Sequence, residues 1–139
     1  MAWRFTYEQL LERAYKNTPT VAKEEVRFEL PEIKSHLSGN KTIISNLEQV
    51  AKVLRREVGH FFKFMLRELA TTGDVKNSEY IFVGKFRNDF LQKKIEKYAK
   101  EFVFCGQCHK PDTHFVREAA ADFIVCEACG AKASVRKLK

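Results

Sequence analysis

No apolar run in this 139-residue chain approaches the ~18 residues needed to cross a bilayer. No cysteine stands outside two C-x-x-C pairs, so none is left over for nucleophilic work. No phosphate-binding loop is present. Gly84-Lys85 has Glu79 where such a loop requires a glycine five residues earlier, and Phe86 where it requires Ser or Thr. The four histidines have no carboxylate or nucleophile at a telling spacing. The chain is therefore expected to bind no nucleotide itself and not to be an enzyme. The opening Met1-Ala-Trp-Arg-Phe-Thr-Tyr-Glu8 carries neither an apolar h-region nor a small-residue cleavage site, which implies a soluble, cytoplasmic protein without a membrane partner.

What is there points to a folded body. The apolar fraction of 45% is ordinary for a globular protein, and twelve phenylalanines imply at least one real core. The length allows one ordinary domain, or a small domain with a smaller appendage. The formal charge of +7 is concentrated late in the chain, with +3 over residues 84–104 and +2 over 105–139. Such a surplus suits a phosphate-rich partner such as RNA. A solvated surface tuned for solubility is the other reading.

The cysteines carry the sharpest signal. Cys105-Gly-Gln-Cys108 and Cys126-Glu-Ala-Cys129 are separated by seventeen residues. Two cysteines at i and i+3 on a tight turn can face one metal, and two such turns make a tetrahedral four-sulfur site. Gly106 and Gly130 suit turns whose amides face the sulfurs. Expected strands flank them at Phe102–Phe104, His114–Val116, Phe123–Val125 and Ala133–Val135. The pattern predicts a zinc ribbon over 103–139 around one structural zinc held by Cys105, Cys108, Cys126 and Cys129. Disulfides would need an oxidising compartment, and neither pair opens a helix in a βαβ unit as thioredoxin-like pairs do. His109 and His114 read as exposed loop residues, because four thiolates already fill the site.

At the other end, Thr6 and Gln9 form a T-x-x-Q capping box. Behind it Tyr7, Leu10, Leu11, Ala14 and Tyr15 make one helical stripe, ended by Asn17-Thr-Pro19. About ten residues fall below the ~12–15 at which an isolated helix becomes marginal. The stripe either packs on this protein's own core or docks in a partner's groove, and pattern alone leaves both open. A polar linker over 18–24 follows. Glu25–Leu30 alternates as a strand through Val26, Phe28 and Leu30, Ser38-Gly39-Asn40 reads as a turn, and Lys41–Ile44 as a second strand.

Ser45 with Glu48 suggests a second capping box, opening a helix with Leu47, Val50, Ala51 and Leu54 inward. Gly59 is expected to separate it from a helix over His60–Ala70, apolar around most of its girth. A helix–turn–helix reader of DNA is the functional alternative to a buried pair. Thr72-Gly-Asp74 closes the pair, and Tyr80–Val83 reads as a strand that Lys85 and Phe86 could extend. Asn88 is expected to cap a last helix with Leu91, Ile95, Tyr98 and Phe102 inward and Lys93, Lys97 and Lys100 along an outer ridge. That ridge is a solvated face or a phosphate contact. Strands and helices without βαβ alternation predict an α+β fold, with a central antiparallel-sheet domain over 25–102.

The order of these parts resembles the beta subunit of archaeal translation initiation factor 2. The resemblance is carried by Tyr7–Tyr15, Gly39–Leu47, Phe62–Leu69, Gly84-Lys-Phe86 and Phe102–Thr113, and covers essentially the whole chain. It implies a heterotrimer that carries initiator methionyl-tRNA to the small ribosomal subunit, and whose gamma subunit binds and hydrolyses GTP and holds the alpha subunit. It implies that residues 1–17 form the docking segment, with Tyr7, Leu10, Leu11, Ala14 and Tyr15 on the gamma subunit, and that the core and ribbon move relative to that anchor. Eukaryotic members carry N-terminal lysine blocks that recruit other factors, and none precede Tyr7 here, which favours the archaeal form. Core and ribbon also resemble the N-terminal half of eukaryotic initiation factor five, a GTPase activator. That activity would need an arginine such as Arg4 or Arg13 in a mobile arm, but the stripe around Arg13 reads as a docking helix. An independent zinc-ribbon nucleic-acid binder, of the transcription type, is the other alternative.

Overall fold

A computed structural model describes residues 4–18 and 28–138. Helix α1 (Tyr7–Asn17) begins at the expected box: the Gln9 amide donates to Thr6 Oγ1 and the Thr6 amide to Gln9 Oε1. Thr18 closes it, donating from both its amide and its hydroxyl to the Ala14 carbonyl. Every described residue of 4–18 is exposed.

A four-stranded antiparallel sheet follows, in the order β1 (Ser35–Ser38), β2 (Lys41–Ile44), β4 (Glu79–Val83), β3 (Gly73–Lys76). Its register pairs Ile44 with Tyr80 and Thr42 with Phe82. These alternate positions face the helices, as period-2 geometry requires. Three helices cover them: α2 (Leu47–Val53), α3 (Val58–Glu68) and α4 (Asn88–Phe102). Leu47, Val50 and Leu54, then Phe61, Phe64 and Met65, then Leu91, Ile95, Tyr98 and Phe102 join Ile44 and Phe82 in one core. A second antiparallel sheet, β5 (Thr113–Arg117), β6 (Asp122–Cys126) and β7 (Lys132–Val135), completes the α+β chain.

Several local expectations give way to tertiary demands. The linker lies outside the described residues except for Thr18, as does the first half of the strand expected at Glu25–Leu30. Residues 28–34 form no strand. Phe28 and Leu30 still pack on the core, Phe28 edge-on to Phe104 at 5.7 Å. The backbone there bonds to side chains: Asn46 Oδ1 accepts from the Lys34 amide (2.8 Å), Asn46 Nδ2 donates to the Glu32 carbonyl (2.8 Å), and Gln92 brackets Pro31 and Ile33. The Ser45/Glu48 box does not form, because Asn46 is the residue before α2 and its amide group is committed to that segment.

The break between α2 and α3 falls at Leu54–Glu57, where Arg55 takes φ 53°, and Gly59 lies inside α3. At the next turn Gly73 opens β3, and a Cβ there would meet the Ile81 carbonyl at 2.5 Å and Leu66 Cδ2 at 2.8 Å. Gly84 stops β4 short of Lys85 and Phe86. Arg87, not Asn88, precedes α4, and Asn88 instead accepts from the Ser35 hydroxyl. Phe102 ends α4 and Phe102–Phe104 form no strand, because Phe102 and Val103 are buried in the core.

Candidate metal centre and the ribbon–core seam

Each cysteine pair closes the same knuckle. The Cys105 amide donates to the Lys110 carbonyl and the His109 amide to the Cys105 carbonyl; Cys126 repeats both bonds with Ala131 and Gly130. The fourth residue after each leading cysteine takes a positive φ, 57° at His109 and 74° at Gly130. His109 thus occupies the left-handed position that its counterpart fills with glycine, a region histidine enters more readily than most residues.

Together the knuckles bring the four Sγ atoms within 4.8 Å of one another, with Cys105–Cys129 and Cys108–Cys126 each at 3.5 Å. A sulfur tetrahedron with metal–sulfur bonds of ~2.3 Å has edges of about 3.8 Å. A disulfide would need about 2.05 Å, so the cluster has the dimensions of a metal site and all four thiols are free. The amides of Cys108 and Gln107 draw the Cys105 thiol down to about 6. Cys129, despite the amide of Ala131, is pushed up to about 12 by the neighbouring sulfurs. Four thiolates this close would repel one another strongly, and a divalent ion bound among them would supply the missing charge. The four cysteines that the spacing singled out do come together. His109 and His114 are exposed, and His114 Nδ1 lies 3.3 Å from Glu127 rather than at the sulfurs.

The ribbon is bolted to the core. Arg56, 8% exposed, sends its guanidinium across the seam and meets no carboxylate among the described residues. Nε and Nη2 donate to the Phe102 carbonyl at the end of α4 (3.1 and 2.6 Å), Nη1 to the Thr113 carbonyl (3.0 Å) and Nη2 to Thr113 Oγ1 (2.6 Å). A cation on the last carbonyl of a helix also meets the negative end of its dipole. Phe115 of β5 packs against His60 (4.8 Å) and Phe102 (6.3 Å). Beyond β7, Arg136 reaches Glu68 (3.2 Å) and Glu101. Glu68 also takes Lys97 (2.8 Å) and Lys94 (3.3 Å). These bonds, that of Lys97 foremost, hold its carboxyl down at about 2 against the opposing effect of burial.

The other candidate residues separate. Tyr7, Leu10, Leu11, Ala14 and Tyr15 all lie exposed on α1, with Tyr7 77% and Tyr15 74% accessible. Lys97 is committed to Glu68, whereas Lys93 and Lys100 are exposed and bridge to no described residue. The seam residues Arg55, Arg56, His60, Phe115 and Arg117 were not marked by the sequence. Nothing in the doublet Arg55-Arg56 tells that the second is buried and the first is not.

Comparison with known proteins agrees with this architecture. Residues 18–132 match a family model described as a domain found in initiation factor 2B and initiation factor five. The chain is 40% identical over 134 residues to translation initiation factor 2 subunit beta of Methanococcus vannielii, covering 96% of this chain and 97% of that one. It is 42% identical over 135 residues to the protein of the same name from Methanopyrus kandleri, covering 97% and 98%. With Methanosphaera stadtmanae the figure is 39% over 132 residues, covering 95% and 93%. Among the described residues no helix is long and apolar enough to cross a membrane. A four-thiol ribbon seated on a helix-covered sheet, matched end to end by these archaeal relatives, makes the chain a member of the translation initiation factor 2 beta-subunit family.

Proposed function

We propose that the chain is the non-catalytic beta subunit of a cytoplasmic trimer that carries initiator methionyl-tRNA to the small ribosomal subunit in a GTP-dependent manner. It docks through α1 on the GTP-binding gamma subunit, which also holds the alpha subunit. The observation that carries this reading is the exposed stripe of α1. An 11-residue helix that buries no side chain of its own gains its stability from a host surface. Tyr7, Leu10, Leu11, Ala14 and Tyr15 present that surface, with a capping box already in place to start the helix. The absence of a phosphate-binding loop suits a chain whose nucleotide belongs to its partner. One structural zinc on Cys105, Cys108, Cys126 and Cys129 fits the sulfur geometry, and four protein ligands leave it no open position for chemistry.

The test is calorimetric titration of the gamma subunit with Leu10→Asp plus Tyr15→Asp. Each buried side chain is worth about 2 kcal/mol, so the pair should weaken docking about a thousandfold. Thermal stability of the chain itself should not change. Wild-type affinity in the double variant would refute the docking assignment.

A further inference from the structure

The turn joining α2 to α3 and the first ribbon strand enclose a cleft of about 390 Å³, lined by Arg55, Arg56, Glu57, His60, Phe115 and Arg117. Three guanidinium groups face one carboxylate. Arg56 is spent on backbone carbonyls and shapes the floor. Arg55 is exposed, and its side chain has no hydrogen-bond or ion-pair partner among the described residues. Its backbone sits at φ 53°, a conformation that few non-glycine residues hold without a reason. Among the described residues the Arg117 side chain meets only the Glu57 carboxylate, at 3.0 Å, and both groups are largely in solvent. An exposed pair of this kind contributes little to stability and exchanges readily for a stronger anion.

Two further features favour an anion. The cleft lies at the start of α3, where Glu57 precedes the helix and its first turn leaves amides unsatisfied and the dipole positive. His60, 8% exposed, has Nδ1 2.9 Å from the Tyr98 hydroxyl and no partner at Nε2. With Tyr98 donating to Nδ1, Nε2–H is a buried donor left unpartnered behind the cleft wall.

We propose that this cleft between core and ribbon receives a phosphodiester of an RNA backbone, gripped by Arg55 and Arg117, with Glu57 holding Arg117 in place until the phosphate displaces it. The choice of RNA rests on the initiation-factor reading above. The site itself rests on the guanidinium pair, whose planar forks match phosphate oxygens two at a time. Readout is of the backbone, because the cleft offers forks and a helix end but no set of groups matched to one base edge.

Fluorescence anisotropy of a labelled initiator tRNA transcript and of an unrelated RNA duplex, with the full zinc-loaded chain between about 50 and 200 mM salt, tests this. Arg55→Gln plus Arg117→Gln should weaken both RNAs about tenfold or more and flatten the salt slope by about one per arginine. Glu57→Gln, which removes the competing carboxylate and leaves the folded body intact, should tighten binding a few-fold. Lys93→Gln plus Lys100→Gln should change neither RNA by as much. An unchanged affinity and slope in the arginine variant would overturn the inference, as would no RNA binding at low salt. Arginine-dependent binding of polyglutamate as strong as that of RNA would also overturn it, in favour of an acidic polypeptide. The Leu10→Asp plus Tyr15→Asp chain should bind RNA normally while losing the gamma subunit, so failure of the cleft and failure of the docking helix give different results.

Discussion

Arg56 is the strongest lever on how ribbon and core hold together. Replacing it with alanine strips donors from the Phe102 and Thr113 carbonyls, each of which lies in the buried seam. An unsatisfied buried acceptor costs about 1–3 kcal/mol, so the pair loses about 2–6 kcal/mol. Against this, the variant no longer holds a cation that burial disfavours; desolvation already pulls the Arg56 pKa downward, and no carboxylate among the described residues repays it. The net loss should be about 3 kcal/mol, or roughly 10 °C in Tm for a chain of this size. Arg56→Lys keeps the charge without the fork and should lose nearly as much, because one ammonium cannot reach both carbonyls as the guanidinium does. Thermal unfolding gives the magnitude, and amide exchange gives the place: protection should fall in β5 and β6 first while the interior of α3 stays closed. A variant within about 0.5 kcal/mol of wild type would refute the reasoning, since that is the range of an ordinary surface substitution.

Removing metal with a chelator should melt the two knuckles and β5–β7, a ribbon too small to stand without a staple, while the core around Phe61 and Phe82 persists at lower Tm; ribbon resonances unchanged after chelation would contradict this. Acid should weaken the chain in two stages. His60 is held below its usual 6.5, chiefly by burial, so stability present above that pH declines as the unfolded imidazole protonates. Glu68, depressed from 4.5 to about 2, contributes fully above 4.5 and loses its share as pH falls toward 2. With two of its three partners about half in solvent that share is about 1–2 kcal/mol, so Glu68→Gln should match wild type only in strong acid; a gap constant with pH would rule the linkage out. Gly73→Ala should cost about 1–3 kcal/mol by driving a Cβ into the Ile81 carbonyl, whereas Gly59→Ala, which meets nothing within 4 Å, should be neutral or stabilising in the same melts.

These outcomes follow from contacts that the sequence exposes unevenly. Patterns generated within one element were legible: Leu91, Ile95, Tyr98 and Phe102 are all fully buried, and Ile44, Tyr80 and Phe82 fill the sheet's inner face. The cysteine spacing likewise encodes a local turn, used twice. What failed was every reading in which a side chain had two possible employers. Ser45 and Glu48 fit a capping box, but Asn46 was needed to hold residues 32–34. Gly59 has the chemistry of a breaker, yet the break fell on Arg55, because Arg56 had to turn inward to meet Phe102 and Thr113. Edge strands β1 and β3 carry almost no burial alternation, so nothing announced them.

The same seam explains why the knuckles sit where they do. Thr113 stands opposite Cys126 in the β5–β6 register, and its hydroxyl accepts from Arg56 while donating to the Val103 carbonyl. Val103 is two residues before Cys105. One buried hydroxyl therefore fixes the leading cysteine of both knuckles relative to the end of α4. Second-layer bonds of this kind orient ligands before an ion arrives. The core thus lends the four-cysteine site a rigidity that 35 residues of ribbon could not supply alone, and a metal bound there would in turn hold β5 where Phe115 and Arg117 can wall the cleft. Thr113→Val, nearly the same shape but without the hydroxyl, separates these roles. It should lower metal affinity by about tenfold in a chelator competition while leaving the α1 stripe and its docking untouched. Undiminished affinity would mean that the knuckles set their own geometry and that the seam is adhesion only.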